Sequence, residues 1–293
     1  MQKDRDLEIK MNNSLYKTDE ETLISFSGGR TSAYMLYRVL DAYDFDLPDN
    51  FCVLFANTGK EMPQTYDFIH RCSEEWGVKI TWLEYGGREP KPDSEHYNYF
   101  YNVVDYETAS RNGEPFKRLI SDTKALPNPM SRTCSGQMKI RTMRRYLENE
   151  KGWETPFQSF IGIRADEKRR AVKIHSKINK GQECWCPLYA DGVTVDQIAE
   201  FWRNSSFDLE LPNNNGVTDW GNCDLCFLKG QSKRLSIIRE RPDLADWWIE
   251  VENNYNDVFD RNGLTYERMK IIATDQQSMD FGDDHTIPCF CGE

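Results

Sequence analysis

Residues 21–32 read Glu-Thr-Leu-Ile-Ser-Phe-Ser-Gly-Gly-Arg-Thr-Ser, and the reading of this stretch decides the fold. Thr22 to Phe26 is a short apolar run with β-branched and aromatic members, as a buried strand requires. Ser27-Gly28-Gly29-Arg30 is a turn, and Thr31 and Ser32 stand where a following helix is capped. In that helix Ala33, Leu36, Tyr37 and Leu40 recur at i, i+3, i+4 and i+7, an apolar stripe that runs to about Tyr43. Such a turn between strand and helix suits an anion. Its glycines let backbone N–H groups approach a ligand, Ser27, Thr31 and Ser32 add hydroxyls, and the helix N-terminus and Arg30 add positive charge. It is neither the GxxxxGK(S/T) phosphate loop nor the GxGxxG dinucleotide turn.

Outward from this turn the pattern repeats. Phe51–Ala56 is a dense apolar strand, residues 63–76 read as a helix, and Val78–Glu84 as a third strand. Strand, helix, strand, helix, strand at these spacings predicts an α/β fold with a mostly parallel, Rossmann-like sheet flanked by helices. Periodicity fails over residues 86–132, far longer than an ordinary connection, so this is an insertion with short elements, a lid or a substrate loop. A helix resumes over Ser135–Asn149, and Phe157–Ile163 is a further strand. After Gly181 the character changes: 183–192 reads as a turn, Val195–Trp202 as a helix, and 205–230 as an irregular stretch with two cysteines. Ser232–Arg239 and Asp243–Asn253 read as helices, in which Trp247 and Trp248 pack on the domain, and the tail is expected to be flexible. The expected division is an α/β domain over residues 20–180 and a Cys-bearing helical and irregular region over 181–293.

Composition narrows the function. The chain of 293 residues carries 37 Lys and Arg against 48 Asp and Glu, a net charge of -11, which disfavours a polycation-like grip on nucleic acid. Two local basic groups, Lys139/Arg141/Arg144/Arg145 and Arg164/Lys168/Arg169/Arg170/Lys173, are candidate landing places for phosphate or sulfate. With 15 Phe, 14 Tyr and 8 Trp the chain can build a core, which excludes collagen-like and wholly disordered classes. No run approaches the roughly 20 apolar residues of a membrane span. The charged N-terminus has no apolar segment of a secretory signal, so a cytoplasmic protein is expected. Nine cysteines in such a chain fit free thiols, a metal site or redox chemistry better than a disulfide scaffold. Cys223-Asp-Leu-Cys226, with Cys184, Cys186 and Cys134 earlier, suggests a four-coordinate site for zinc or a 4Fe–4S cluster, a dithiol redox pair being the other reading. Cys52 and Cys72 read as buried small hydrophobes.

The strings FSGGRTSAYM (26–35) and VLFANTGKE (53–61) strongly resemble the N-terminal half of the phosphoadenosine phosphosulfate (PAPS) reductase-like family of the PP-loop, or adenine nucleotide α-hydrolase-like, superfamily. GIRADEKRR (162–170) is similar to that family's G-x-R-x-x-E-S-x-x-R element, with Gly162, Arg164, Glu167 and Arg170 matching and Lys168 in the serine position. The resemblance implies a nucleotide across the C-terminal ends of the strands. Ser27, Gly28, Gly29, Arg30, Thr31 and Ser32 would surround its phosphates, Asn57 and Thr58 would lie close by, and Gly162, Arg164 and Arg170 would meet a second anionic group. PAPS, APS and ATP are the candidate nucleotides. Thr31 stands where ATP-opening members carry an acidic residue that helps to organise Mg²⁺. By the same resemblance, Cys134, Cys223 and Cys226 are cluster ligands, with Cys186, or Cys184 as alternate, completing the set. The terminal Cys289-Phe-Cys291-Gly loosely resembles the nucleophilic Glu-Cys-Gly tail of sulfonucleotide reductases, which makes Cys291 or Cys289, with Arg164, the catalytic candidates and a thioredoxin-like protein the reductant. The expected activity is thiol-dependent reduction of activated sulfate to sulfite. The alternatives are an ATP-dependent sulfurtransferase or nucleotide hydrolase modifying nucleic acid, and a non-catalytic nucleotide-binding protein. The oligomeric state is left open.

Overall fold

A computed structural model describes residues 13–92, 94–175, 182–260 and 263–275. Its centre is a six-stranded sheet in the order β4-β3-β2-β1-β5-β6: β1 Thr22–Ser25, β2 Phe51–Asn57, β3 Ile80–Pro90, β4 Tyr97–Val104, β5 Phe157–Ile161 and β6 Gln182–Trp185. All neighbours are parallel except β3 and β4, which pair as an antiparallel hairpin. The parallel strands are joined by crossover helices, α1 Arg30–Ala42 and α2 Pro63–Trp76 leading from β1 to β2 and from β2 to β3. β2 is buried along its whole length, as a central parallel strand flanked on both faces must be.

Alternation along β1 divides the core. Ile24 and Phe26 face α1 and α2, whereas Leu23 joins Cys52, Leu54, Ala56 and Leu83 on the opposite face. That second face is covered by Met143, Tyr146 and Leu147 of α4, a continuous helix formed by Cys134–Arg141, Thr142–Tyr146 and Leu147–Lys151, whose first and last sections have π geometry. The turn between β1 and α1 therefore opens at the C-terminal edge of the sheet, where ligands of open α/β sheets sit.

The stretch 86–132 contains the extended end of β3, β4 and α3 Glu114–Thr123. It is no detached lid: Phe116 of α3 packs edge-on against Trp247 and Trp248 of α9 (Ala245–Tyr255), at ring separations of 5.5 and 5.8 Å. Trp248 is wholly buried among Phe116, Phe259 and Tyr266. The boundary expected at residue 180 needs correction, because β6 lies beyond it yet pairs with β5 over Phe157–Phe160. The remaining helices are α5 Lys168–His175, α6 Pro187–Ala190, α7 Val195–Asn204, α8 Gln231–Glu240 and α10 Tyr266–Asp275. Among the described residues no helix is long and apolar enough to cross a membrane.

Candidate nucleotide site

The turn is built around Gly28. Its φ of +81° is one that side-chain-bearing residues rarely adopt, and a Cβ there would lie 2.7 Å from Thr65 Cγ2 and 2.9 Å from Ile69 Cδ1 of α2. Gly29 differs: its φ is -99°, and a Cβ would meet only Ser27 Oγ at 3.7 Å. Gly29 is the N-cap of α1, and its carbonyl accepts from Ala33 N and from Ser32 Oγ, each at 3.0 Å. No side chain caps this helix, so its first-turn N–H groups open into the cleft. The cleft, about 100 Å³, is lined by Ser27, Gly28, Gly29, Arg30 and Thr31 on one side and by Arg164 and the segment Gly216–Asn222 on the other.

The hydroxyls divide the labour. Ser27 Oγ and Ser32 Oγ are 2.9 Å apart, and Ser27 N donates to Ser32 Oγ. Ser32 is wholly buried, so it braces the turn rather than facing a ligand, a correction to its expected role. Thr31 Oγ1 accepts from Arg164 Nη1 at 3.2 Å. Arg30 is turned away from the role expected of it: Nε and Nη2 donate to the Asp208 carboxylate at 2.6 and 2.8 Å, and Nη2 also to Leu209 O. Its Nη1 remains, buried and without a hydrogen-bond partner among the described residues. The uncapped N-terminus of α1 beside the cleft suits an anion.

Gly162 contributes by close approach. A Cβ there would be 3.1 Å from Ser32 Cα, so glycine lets the end of β5 press against the first turn of α1. Arg164 follows, its side chain held by Asp166 (Nε to Oδ1, 3.2 Å) and near Glu167. Arg170 pairs with Glu167 as well and is not part of the cleft lining. The two arginines thus come with their own carboxylates, and their net charge is smaller than the sequence implies.

A second, narrower slot shares Ser27 with the cleft. It runs between the sheet and α4, lined by Ser25, Phe55 and Ala56 below and Ser135, Lys139 and Met143 above. Its walls are mostly apolar and its volume is about 30 Å³, room for little more than water, so the cleft is the larger of the two spaces at the turn.

Asn57 and Thr58 do not face this space. Asn57 Nδ2 donates to Glu84 Oε1 at 2.7 Å and Ser110 O at 2.8 Å, and its Oδ1 accepts from Gly59 N and Tyr66 Oη. Thr58 Oγ1 donates to Glu61 Oε1 and stands 3.4 Å from Cys223 Sγ. Both side chains are fully buried and satisfied. They belong to a polar knot that docks the CxxC segment: Glu61 bridges Cys223 in the backbone, Asp224 N donates to Lys60 O, and Lys60 Nζ lies 2.8 Å from Asp224 Oδ2. Trp248 Nε1 donates to Asp224 Oδ1.

The thiols form two groups, not one cage. Cys134, Cys223 and Cys226 belong to the main core, while Cys184 and Cys186 lie with Ile161, Ile163, Ala171 and Ile174 at the β6 edge, β1 and β5 intervening in strand order. Among the described residues no group of three or more His, Cys, Asp or Glu side chains is placed to hold a metal ion. The four-thiol set with Cys186 or Cys184 as fourth ligand does not fit a cluster here. Burial pushes the Cys186 thiol up to about 12 and Cys52 up to about 11, and raises Cys72 and Cys223 well above the usual thiol range. Cys289 and Cys291 lie outside the described residues.

Thr65, Asp208, Leu209 and the strap Gly216–Asn222 complete the site and escape sequence reasoning. They come from α2 and from an irregular segment far along the chain, where no periodicity marks them.

The chain is 26% identical over 229 residues, 78% of its own length and 73% of the relative's, to the "uncharacterized nin region protein ORF290" of Escherichia phage lambda. Among solved structures it is similar to the U34-tRNA thiolase NcsA from Methanococcus maripaludis with its 4Fe–4S cluster, at 16% identity and a TM-score of 0.41, covering 94% of this chain and 78% of that one. Residues 21–201 match the phosphoadenosine phosphosulfate reductase domain, a span that holds the turn, the Arg164 element and all six strands, and the chain belongs to that family.

Proposed function

We propose that the protein is an enzyme acting on an adenine nucleotide, whose phosphate or phosphosulfate lies on the Ser27–Thr31 turn. The single observation that carries this reading is the uncapped helix start at Gly29, beside a cleft lined by Ser27, Gly28, Gly29, Arg30, Thr31 and Arg164. Family membership makes a sulfonucleotide the favoured substrate.

In that reading a thiolate attacks the sulfur of the substrate's phosphosulfate anhydride. The S–O bond to the nucleotide phosphate breaks, leaving an S-sulfonated cysteine and the adenosine phosphate. A thioredoxin-like dithiol then displaces sulfite and ends as a disulfide. Cys52, Cys72, Cys186 and Cys223 are poor nucleophiles, because burial holds each in the thiol form. The attacking thiol is assigned to Cys291 or Cys289 on the likeness of the terminal Cys-Phe-Cys-Gly to the nucleophilic tail of sulfonucleotide reductases. Arg164, fixed against Thr31, positions the leaving phosphate. No step is assigned to an iron–sulfur cluster, since among the described residues no three of the thiols are placed to hold a metal.

The test is product analysis after anaerobic purification. Sulfite from PAPS or APS, lost in Cys291→Ser and Cys289→Ser together, supports the reading. Pyrophosphate from ATP without sulfite would move the chain to the ATP-opening branch of its superfamily. Nucleotide binding with no product would leave a binding protein.

A further inference from the structure

The sheet's two edges are finished differently. β6 is four residues long and carries the exposed Glu183, and both features discourage the addition of a further strand. β4 is eight residues long and has neither a charged residue nor a proline over Tyr97–Val104. The register shift of the hairpin falls on β3, between Tyr85 and Gly87, so β4 itself runs without a bulge. Among the described residues its backbone pairs with β3 and with no other segment. None of the usual protections of an edge strand is present here.

The strand is also held in place. Arg88 lies over the Tyr97 ring at 4.1 Å, Arg141 of α4 over the Tyr99 ring at 4.7 Å, and Tyr101 Oη donates to Glu150 Oε1 at 2.8 Å. What stays open is Tyr97, Phe100 and Val103, which are 39, 44 and 56% exposed. They are spaced evenly about Phe100, and so is the sequence: Tyr97-Asn98-Tyr99-Phe100-Tyr101-Asn102-Val103 reads almost the same in both directions. An antiparallel pairing with its two-fold axis at Phe100 sets Phe100 opposite Phe100, Tyr99 opposite Tyr101, Asn98 opposite Asn102 and Tyr97 opposite Val103. Residues directly opposite each other in such a ladder point to the same face. Each exposed apolar residue of the strand then meets another, asparagine meets asparagine, and no charge is covered.

We infer that the partner of this edge is a second copy of the chain, and that two β4 strands pair antiparallel about Phe100, joining two six-stranded sheets through one isologous contact. A strand pair over residues 97–103 covers less than the roughly 1,200 Å² of a stable interface, so the dimer forms at micromolar concentrations and exchanges with monomer. Each copy carries a net charge of -11, so the two repel at long range and added salt tightens the pair.

Sedimentation velocity of the full chain over about 1–200 μM is the test. The mass is expected to climb from one chain towards two as concentration rises, and to do so at lower concentration when salt is added. Phe100→Lys sets two cations opposite each other and is expected to weaken self-association about tenfold or more, as is Phe100→Glu with two anions. Mixed in equal amounts, these two variants are expected to associate again, because residue 100 meets its own counterpart, and a merely adhesive surface would not give this result. Val103→Lys, at the most exposed of the three positions, is expected to weaken the dimer less and serves if the Phe100 variants do not fold. A chain that stays monomeric throughout overturns the inference. So does self-association that survives both Phe100→Lys and Val103→Lys, which would put the contact elsewhere, and so does failure of the mixed Lys and Glu variants to associate, which would deny the two-fold register. Slow amide exchange along the open side of β4 in a monomeric protein would assign the edge to residues of the same chain instead.

Discussion

The turn at Ser27–Ser32 and the knot at Asn57–Glu61 follow successive parallel strands at the same edge of the sheet, and both look like ligand loops in sequence. Their hydrogen bonding separates them. Around Asn57 and Thr58 every polar atom is matched within the protein, down to the Lys60–Asp224 pair that fastens the CxxC segment. Around Gly29 the helix start is uncapped and Arg30 keeps a buried N–H unmatched. A loop that closes its own bonds is structural, whereas an uncapped helix start beside a cleft is a candidate anion site.

The largest expected effect falls on the knot. Asp224→Ala leaves Lys60 charged and buried and frees Trp248 Nε1, and should cost about 3–5 kcal/mol in denaturant unfolding. Folded protein should retain its nucleotide affinity. A loss below about 1 kcal/mol would mean that the knot is looser than its geometry.

At the turn, Gly28→Val should weaken nucleotide binding about tenfold or more, on the order of 1.4 kcal/mol. Gly29→Val should be the milder change, since its backbone is extended and its Cβ meets little. Calorimetric titration of both variants would show whether the order is reversed, which would misplace the strained position. A subtler lever is Asp208, which neutralises Arg30. Asp208→Asn should tighten nucleotide binding about two- to fivefold at low salt, with the gain fading at high salt. Weaker binding in that variant would mean that Asp208 is needed to hold Arg30 in place.

The smallest effect concerns the thiols. Burial disfavours the thiolate, so Cys186 should resist alkylation from pH 7 through 10 and react only as the pH nears 12. Half-exposed Cys184 should label first among the described cysteines. Rapid labelling of Cys186 at neutral pH, read by peptide mass spectrometry, would contradict its packing against Ile161 and Ile163.

Much of this architecture is legible in the residues alone. Hydrophobic runs and helical spacing place β1, β2, β5, α1 and α2 within a residue or two, and the turn's composition points to anions. What escapes has physical causes. β4 reads Tyr-Asn-Tyr-Phe-Tyr-Asn-Val-Val, whose mixed burial at an edge gives no clean alternation, and β6 is a four-residue strand that looks like a turn. The destination of a polar side chain is also hidden: nothing local in NTGKE tells that Asn57 serves Glu84 and Ser110, or that Arg30 meets Asp208. Cys186 was grouped with Cys223 by residue type, and the order of strands keeps them apart.

Backbone hydrogen exchange with and without saturating PAPS, APS or ATP tests the central distinction most directly. Nucleotide should slow exchange across residues 28–32, at the uncapped start of α1, and leave 57–61 and 223–226 as protected as before. Protection gained at 57–61 and 223–226 with none at 28–32 would contradict the account.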